Sequence, residues 1–484
     1  MRGAKILFII HTCGLLLLLL AATMVVPAIV DYVSGNHDWD TFLLSALVTS
    51  FTGGNWVFMS RGRPPELDQR SGYLLTVMAW LAVGGFGSLP LLFSSLHLSV
   101  TDAVFETMSG LTTTGSTVLA GLDTMAPGLL LWRSLLQWFG GLGIVVMALV
   151  IMPMLRIGGM QLFRTESSDI SGKPVARAAQ MAKLTTLIYV GLSVLCAVSY
   201  RIAGMNTFDA INHAMATIAT GGFSTHDASL GFYNSLPIEL VAIVFMCAGA
   251  LPLFWYVHVL ARPRGTSLAD RQILGLFVVL AVSVVLLSAW NVAVNDMSIG
   301  HAARTAAVNA ASVLTDTGFA TTDFSTWGSL AVGIFFLLFF VGGCAGSTAG
   351  AIKIFRWQLL FKGMHRQLIL TFSPNRAMPQ QYDGRKVDAE MMLSVRNFFF
   401  VYLMTFFILT LGVTATGLDF LSSASGVAQA MANAGPGLGP IVGPGTTFAL
   451  VPDAGKWLLV AGMLLGRLEL LTVYVLLMPT YWRS

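Results

Sequence analysis

Four stretches of this chain repeat one phrase: a short apolar segment, a loop rich in Thr or Gly, and a longer apolar run. The loops are LTTTGST (Leu111 to Thr117), ATGGFST (Ala219 to Thr225), LTDTGFATTDF (Leu314 to Phe324) and ANAGPGLGP (Ala432 to Pro440). The short segments before them, about 101–111, 208–219, 302–314 and 423–432, hold roughly 10 to 13 residues each. A helix needs about 20 apolar residues to cross a bilayer, so these segments suit re-entrant helices. Asp102 and Asp209 each stand 13 residues before a glycine, Gly115 and Gly222, and the other two copies put Gly318 and Gly435 in the same place. One such loop reads as a packed turn. Four in matching phase point to a ring of backbone around a central pathway.

Composition supplies the setting. Only 10% of the 484 residues are charged, 55% are hydrophobic, and the mean hydropathy is +0.76, against about 25% charge in a soluble domain. Apolar stretches at 5–30, 39–59, 72–95, 129–153, 183–203, 237–260, 272–295, 329–352, 391–415 and 456–479 predict ten spans. They are helical, because lipid-exposed backbone must satisfy its own hydrogen bonds. The first run is too long for a signal peptide and shows no clear cleavage site, so it reads as a retained helix. The four cysteines, Cys13, Cys196, Cys247 and Cys344, lie in apolar stretches without metal-ligand spacing and read as small buried hydrophobes.

Basic residues set the orientation. With both termini on the cytoplasmic side, 22 of the 27 Lys and Arg fall in inner segments; Arg133, Arg201, Arg304 and Lys456 do not, and Arg467 sits within a span. The net charge of +4 therefore describes one face and says little about nucleic acid.

Asp102 and Asp209 stand where N-caps of the short helices are expected, and acidic groups suit that end of a helix dipole. The opposite, partly negative ends then face the loops. Four of them converging on one cavity favour a cation there. A ring of carbonyls can replace a cation's water shell without any carboxylate, and irregular backbone at this depth is tolerated only when buried or lining a watery cavity.

These features resemble the Trk/Ktr/HKT superfamily of potassium transporters, within it the bacterial Trk branch, over nearly the whole chain. The loops quoted above carry the resemblance, together with QWFGGLGI at 137–144 and RIGGMQLFRTESS at 156–168. It implies an all-α integral membrane fold: two N-terminal helices (1–70), then four helix–pore loop–helix repeats (71–180, 181–268, 269–388, 389–484) in pseudo-fourfold arrangement around one pore. One filter glycine per repeat maps to Gly115, Gly222, Gly318 and Gly435, with potassium coordinated as substrate by backbone at Thr113, Thr114, Thr220, Gly221, Asp316, Thr317, Asn433 and Ala434. Members with serine at the first such position tend to favour sodium, so Gly115 implies potassium. The loops are not equivalent. Asp316 either raises local cation affinity or faces into a hydrogen-bonded frame, the latter favoured because selectivity here rests on carbonyls. Asn433 and Pro436 make the fourth loop the most divergent.

The stretch FVGGCAGSTAGAIKIF (Phe340 to Phe355) is rich in glycine, each costing a helix about 1 kcal/mol relative to Ala. Close helix packing would explain it equally well. The resemblance implies an unwound intramembrane gate at Gly342, Gly343, Gly346, Ser347, Thr348 and Gly350, with Lys353 close behind. Arg467 lies mid-span, where a charge costs at least about 2.5 kcal/mol, and Glu469 two residues on falls on another side of a helix. A structural ion pair is one explanation; the resemblance implies an electrostatic barrier in the pore, and this reading is preferred.

The expected function is gated potassium uptake across the bacterial inner membrane, without enzymatic activity or a covalently bound cofactor. No GxxxxGK[ST] loop occurs, so nucleotide control implies a separate subunit. By resemblance that partner is a cytosolic nucleotide-binding protein of the TrkA type, with the basic 353–396 region as a docking surface that anionic membrane lipid would also use. The resemblance also implies a homodimer, and no nucleic-acid partner. Scattered histidines and the absence of HExxH argue against a membrane enzyme. A proton- or sodium-coupled symporter stays open through Asp102, Glu106, Asp209 and Asp316.

Overall fold

The computed structural model describes residues 2–62, 68–150, 174–261, 270–376, 378, 381–383 and 385–483. The motif at 156–168 lies outside them. Two long helices open the chain, α1 (Arg2–Val33) and α2 (Trp39–Met59). Then one order of elements recurs four times along the chain: long helix, short helix, loop with a 3-10 turn, helix. The first set is α3 (Gln69–Gly87) with its continuation α4 (Leu89–Phe93), α5 (Val100–Leu111) and α6 (Pro127–Val150). The second is α7 (Pro174–Ile202), α8 (Thr207–Ile218), α9 (Leu236–Ala250) and α10 (Leu253–Ala261). The third is α11 (Arg271–Val294), α12 (Ile299–Leu314), α13 (Ser329–Leu338) and α14 (Ile354–Phe372), followed by a small hairpin pairing Gln381–Tyr382 with Arg385–Lys386. The fourth is α15 (Ala389–Thr414), α16 (Phe420–Ala432), α17 (Asp453–Arg467) and α18 (Leu471–Leu477), with α19 (Pro479–Arg483) at the end.

Seven described helices are long and apolar enough to cross a membrane, or nine if each of two sharply bent pairs counts as one span. This is a multi-pass membrane protein. The lipid-facing surface is apolar: α11 leaves Leu274, Phe277, Val278, Val282, Val285 and Leu286 exposed, a pattern that would be unstable in water. Inside, one large core surrounds the four loops, and a smaller one joins α1 and α2 to α5 and α6 through Phe42, Leu129 and Trp132.

Three predicted spans are not continuous helices. The run at 237–260 bends by 91° between α9 and α10. Pro252 supplies no N–H there and holds Leu251 extended. The run at 456–479 bends by 113° between α17 and α18, where Glu469 takes a left-handed φ of 58°. The run at 329–352 is helical only to Leu338, ten residues or about 15 Å of rise, and irregular from there to Lys353.

The short helices begin one residue before the expected segments in the first two repeats and three before in the last two. Asp102 and Asp209 are not their N-caps: Ser99 and Asn206 are, and each cap accepts the backbone N–H of the aspartate. Asp102 Oδ2 in turn accepts from Ser99 Oγ at 2.8 Å, a reciprocal arrangement close to a capping box. Asp419 caps α16 by accepting from Ser422 N at 3.0 Å.

Candidate functional site

All four short helices end in one way. The N–H groups of Thr113, Thr220, Asp316 and Asn433 bond to carbonyls three residues back, and those of Thr114, Gly221, Thr317 and Ala434 to carbonyls five residues back. This is the Schellman pattern, with the first residue of each pair left-handed. Their φ values are 55°, 50°, 58° and 58°. Gly or Asn normally occupies that position; a β-branched Thr there is an outlier, with strain of about 1–3 kcal/mol. Two residues on, Gly115, Gly222, Gly318 and Gly435 also take positive φ, from 76° to 98°.

The glycines pack loop against loop. A Cβ on Gly115 would collide with the carbonyl of Gly221, and one on Gly222 with that of Thr317. On Gly318 it would lie 2.7 Å from Gly435 Cα and 2.8 Å from the Ala434 oxygen. A Cβ on Gly115 would also lie 3.6 Å from Gly435 Cα, so the contacts run from the first loop through the fourth and back. Gly115, Gly222 and Gly318 are half-buried, while Gly435 and the residues just before all four glycines are buried. Among the described residues, only the Gly221 carbonyl of the eight at Thr113, Thr114, Thr220, Gly221, Asp316, Thr317, Asn433 and Ala434 takes a hydrogen bond, from Gln137 Nε2 at 2.5 Å. Buried carbonyls are ordinarily paired. Seven open ones at the ends of four helices suit a desolvated cation.

The irregular stretch after α13 lies against these helix ends. Thr348 Oγ1 donates to the Ile218 and Gly249 carbonyls at 3.0 Å each, and Ala351 N to the Ala432 carbonyl at 2.8 Å. The carbonyls freed where α9 breaks are also used, Ala250 O by Cys344 N at 2.9 Å and Gly249 O by Thr348 N at 3.3 Å. Gly342 bridges to Lys353 as a single parallel β-pair, and a Cβ on Gly350 would strike the Ala432 carbonyl. Ser347 Oγ closes a turn on the Cys344 carbonyl at 2.7 Å, and Gly346 O receives Leu253 N at 3.0 Å. Gly343 O accepts from Ile354 N at 3.3 Å.

Arg467, the last residue of α17, donates from Nη1 to the Thr348 carbonyl at 2.8 Å, while Nε and Nη2 find no hydrogen-bond partner among the described residues. Between this arginine and residues 346–353 lies a cavity of about 30 Å³, room for little more than one water. Asp316 faces away from its own loop, toward the backbone of residues 342–350. Its carboxylate lies against the backbone of Gly343 and Gly350 without a well-formed bond to either oxygen, within electrostatic reach of Lys353 and Arg467. Its left-handed backbone turns it toward the irregular stretch. Glu469 pairs with Arg356 Nη2 at 2.7 Å.

The sequence model of the TrkH family, described as a cation transport protein, matches residues 40–484. The chain belongs to the TrkH family. It is 42% identical to the Trk system potassium uptake protein TrkI of Halomonas elongata, over 98% of this chain and 97% of that one. It is 37% identical to the Trk system potassium uptake protein TrkH of Escherichia coli K12, over 97% and 98%. The crystal structure of the potassium transporter TrkH from Vibrio parahaemolyticus superposes with a TM-score of 0.90 at 36% identity, each chain covered completely. These TrkH-family relatives are transporters, not enzymes.

In this TrkH-family chain, the sequence names Glu106 only as a candidate coupling carboxylate and does not reveal the set of groups that holds the loops from behind. The residue nine places before the glycine is Glu106, His213 or Asn309 in the first three short helices. Glu106 accepts from Thr117 Oγ1 and Val118 N, both at 2.9 Å. His213 Nε2 meets Ser224 Oγ at 3.0 Å, and Asn309 Oδ1 accepts from Thr321 N at 3.1 Å. The fourth helix has Gly426 there and uses Ser425, whose Oγ meets both N and O of Leu438 at 2.9 Å. Asn433 Nδ2 bonds Thr114 Oγ1 at 2.9 Å and the Met463 carbonyl at 3.0 Å. The constant spacing to the glycine was the available signal.

Outside the membrane core, His226 Nδ1 meets Asp123 Oδ1 at 2.5 Å and Nε2 meets Asp209 Oδ2 at 3.0 Å. The His226 hydrogen bond holds the Asp123 carboxyl below the usual carboxylate range.

Proposed function

We propose that this protein takes up potassium across the bacterial inner membrane, with N- and C-termini cytoplasmic, through a filter made of the four loops in pseudo-fourfold arrangement around one pore. The observation that carries the reading is the set of open carbonyls at four Schellman-terminated helix ends whose glycines pack against one another. A potassium ion entering the loops exchanges water for these carbonyls. The partly negative C-terminal ends of α5, α8, α12 and α16 favour its charge. The stretch from Gly342 to Gly350 and the Arg467 guanidinium then obstruct the path below the loops. An inside-negative potential, worth about 2.3 kcal/mol per unit charge per 100 mV, drives entry when they move aside.

Control of that movement is assigned to a cytosolic nucleotide-binding subunit of the TrkA type, docking on the basic inner segments of a homodimer. The names of the potassium uptake relatives support the substrate. The buried, unbonded carboxylate of Asp316 favours a second reading, a proton- or sodium-coupled symporter. Reconstituted flux of potassium or rubidium, with and without the regulatory subunit, tests both. A reversal potential set by the potassium gradient alone is expected. One that shifts with an imposed proton or sodium gradient selects the symporter.

A further inference from the structure

Behind the first two loops lies an ion pair that has no counterpart behind the other two among the described residues. Arg133, on α6, and Glu106, on α5, meet at 2.8 Å with side chains 1% and 0% exposed. The arginine does more than neutralise the glutamate. Its Nη1 donates to the Ser224 carbonyl at 3.0 Å and its Nη2 to Thr117 Oγ1 at 3.2 Å. Its guanidinium carbon lies over the Phe223 ring, 4.1 Å from the centroid. Thr117 is two residues past Gly115, and Phe223 and Ser224 are one and two residues past Gly222. One planar group therefore spans two adjacent loops just beyond their glycines. Asn309 and Ser425 hold only their own loops.

We propose that Arg133 is a selectivity-determining positioning residue: it fixes the separation of the first and second loops, so that their carbonyls fit potassium and not the smaller sodium ion. The inference rests on the potassium-filter reading above. The chemistry suits a spacer. Buried charges with several hydrogen bonds have one low-energy geometry, since removing either partner leaves the other unpaired in a low-dielectric site. A guanidinium fork fixes direction as well as distance, which an ammonium does not. Each loop backbone is already strained at Thr113 and Thr220 and would relax once the brace is loosened.

The test uses the full-length protein in liposomes, with reversal potentials measured under opposed potassium and sodium gradients. The variants are Arg133→Lys, Arg133→Gln and the charge-neutral pair Glu106→Gln with Arg133→Gln. Arg304→Gln is the control, because it breaks a partly exposed pair with Glu239 (2.7 Å), and its bonds go to Glu239 and Asn234, outside the four glycine-bearing loop segments. The expected result is a rise in the sodium-to-potassium permeability ratio of about fivefold or more in the neutral pair, the factor that about 1 kcal/mol yields. Arg133→Lys gives a smaller rise and Arg304→Gln none. If wild-type protein already fails to prefer potassium, the filter reading itself falls. If wild type prefers potassium and folded variants keep its ratio, the brace proposal is overturned. Failure of all three Arg133 variants to fold also overturns it, because the pair would then be scaffold alone.

Discussion

The four loops and the stretch beneath them use opposite strategies with the same material. In the loops, one helix-ending motif is repeated at Thr113, Thr220, Asp316 and Asn433, and side-chain bonds from Glu106, Gln137, His213, Asn309 and Ser425 hold the loops in place. The region from Gly342 to Lys353 has no copy among the described residues. It gathers charges that are buried and incompletely bonded: Asp316, and the Nε and Nη2 of Arg467. Over-determined backbone suits a fixed coordination geometry. Unbonded buried charge costs energy in place, so this second region has less to lose by rearranging and suits a moving part.

The largest effect is expected from breaking the fixed part. Gly222→Ala adds positive-φ strain and overpacking against the Thr317 carbonyl, each about 1–3 kcal/mol. Uptake should be lost from protein that still reaches the membrane, as read by flux per folded molecule. Glu469→Gln attacks the other region by removing the charge that faces buried Arg356, and should cost a similar amount, about 3–5 kcal/mol if unrelieved. Thermal unfolding in detergent checks it. Arg467→Ala should act in the opposite direction on function. Without the guanidinium beside Thr348, flux in the absence of any regulator should rise about tenfold, the equivalent of ~1.4 kcal/mol. Unchanged flux in liposomes would remove Arg467 from the barrier.

The smallest effect concerns the outer loops. Asp123 is depressed by its bond to His226, so its contribution to stability is fully present above the unfolded value of about 4 and is lost as pH falls through the lower folded value. Unfolding followed on the acid side should show a slightly shallower pH dependence in Asp123→Asn than in wild type. Identical profiles would mean that the pair contributes nothing.

The repeated glycines and the long apolar runs made a helical membrane protein legible, because both depend on local composition. The breaks at Leu251 and at Leu468–Leu470 were not, since hydropathy averages across them and both flanks stay apolar. Pro252 was the visible warning at the first; Glu469 in a left-handed turn has no comparable signature. The caps were misplaced by three residues because Ser99 and Asn206 share the bond with Asp102 and Asp209. In the sequence Glu106 reads as a candidate coupling carboxylate and Arg133 as a basic residue outside the inner segments, and nothing there joins them. Only packing of α5 against α6 makes them a pair.

The central claim is that four glycines face one another as a single filter. Gly115→Ser tests it most directly, by reversal potential under opposed potassium and sodium gradients in liposomes. A Cβ at this position collides with the Gly221 carbonyl, so the account predicts a folded protein whose preference for potassium is sharply reduced. A Gly115→Ser protein with wild-type reversal potential and flux would contradict it.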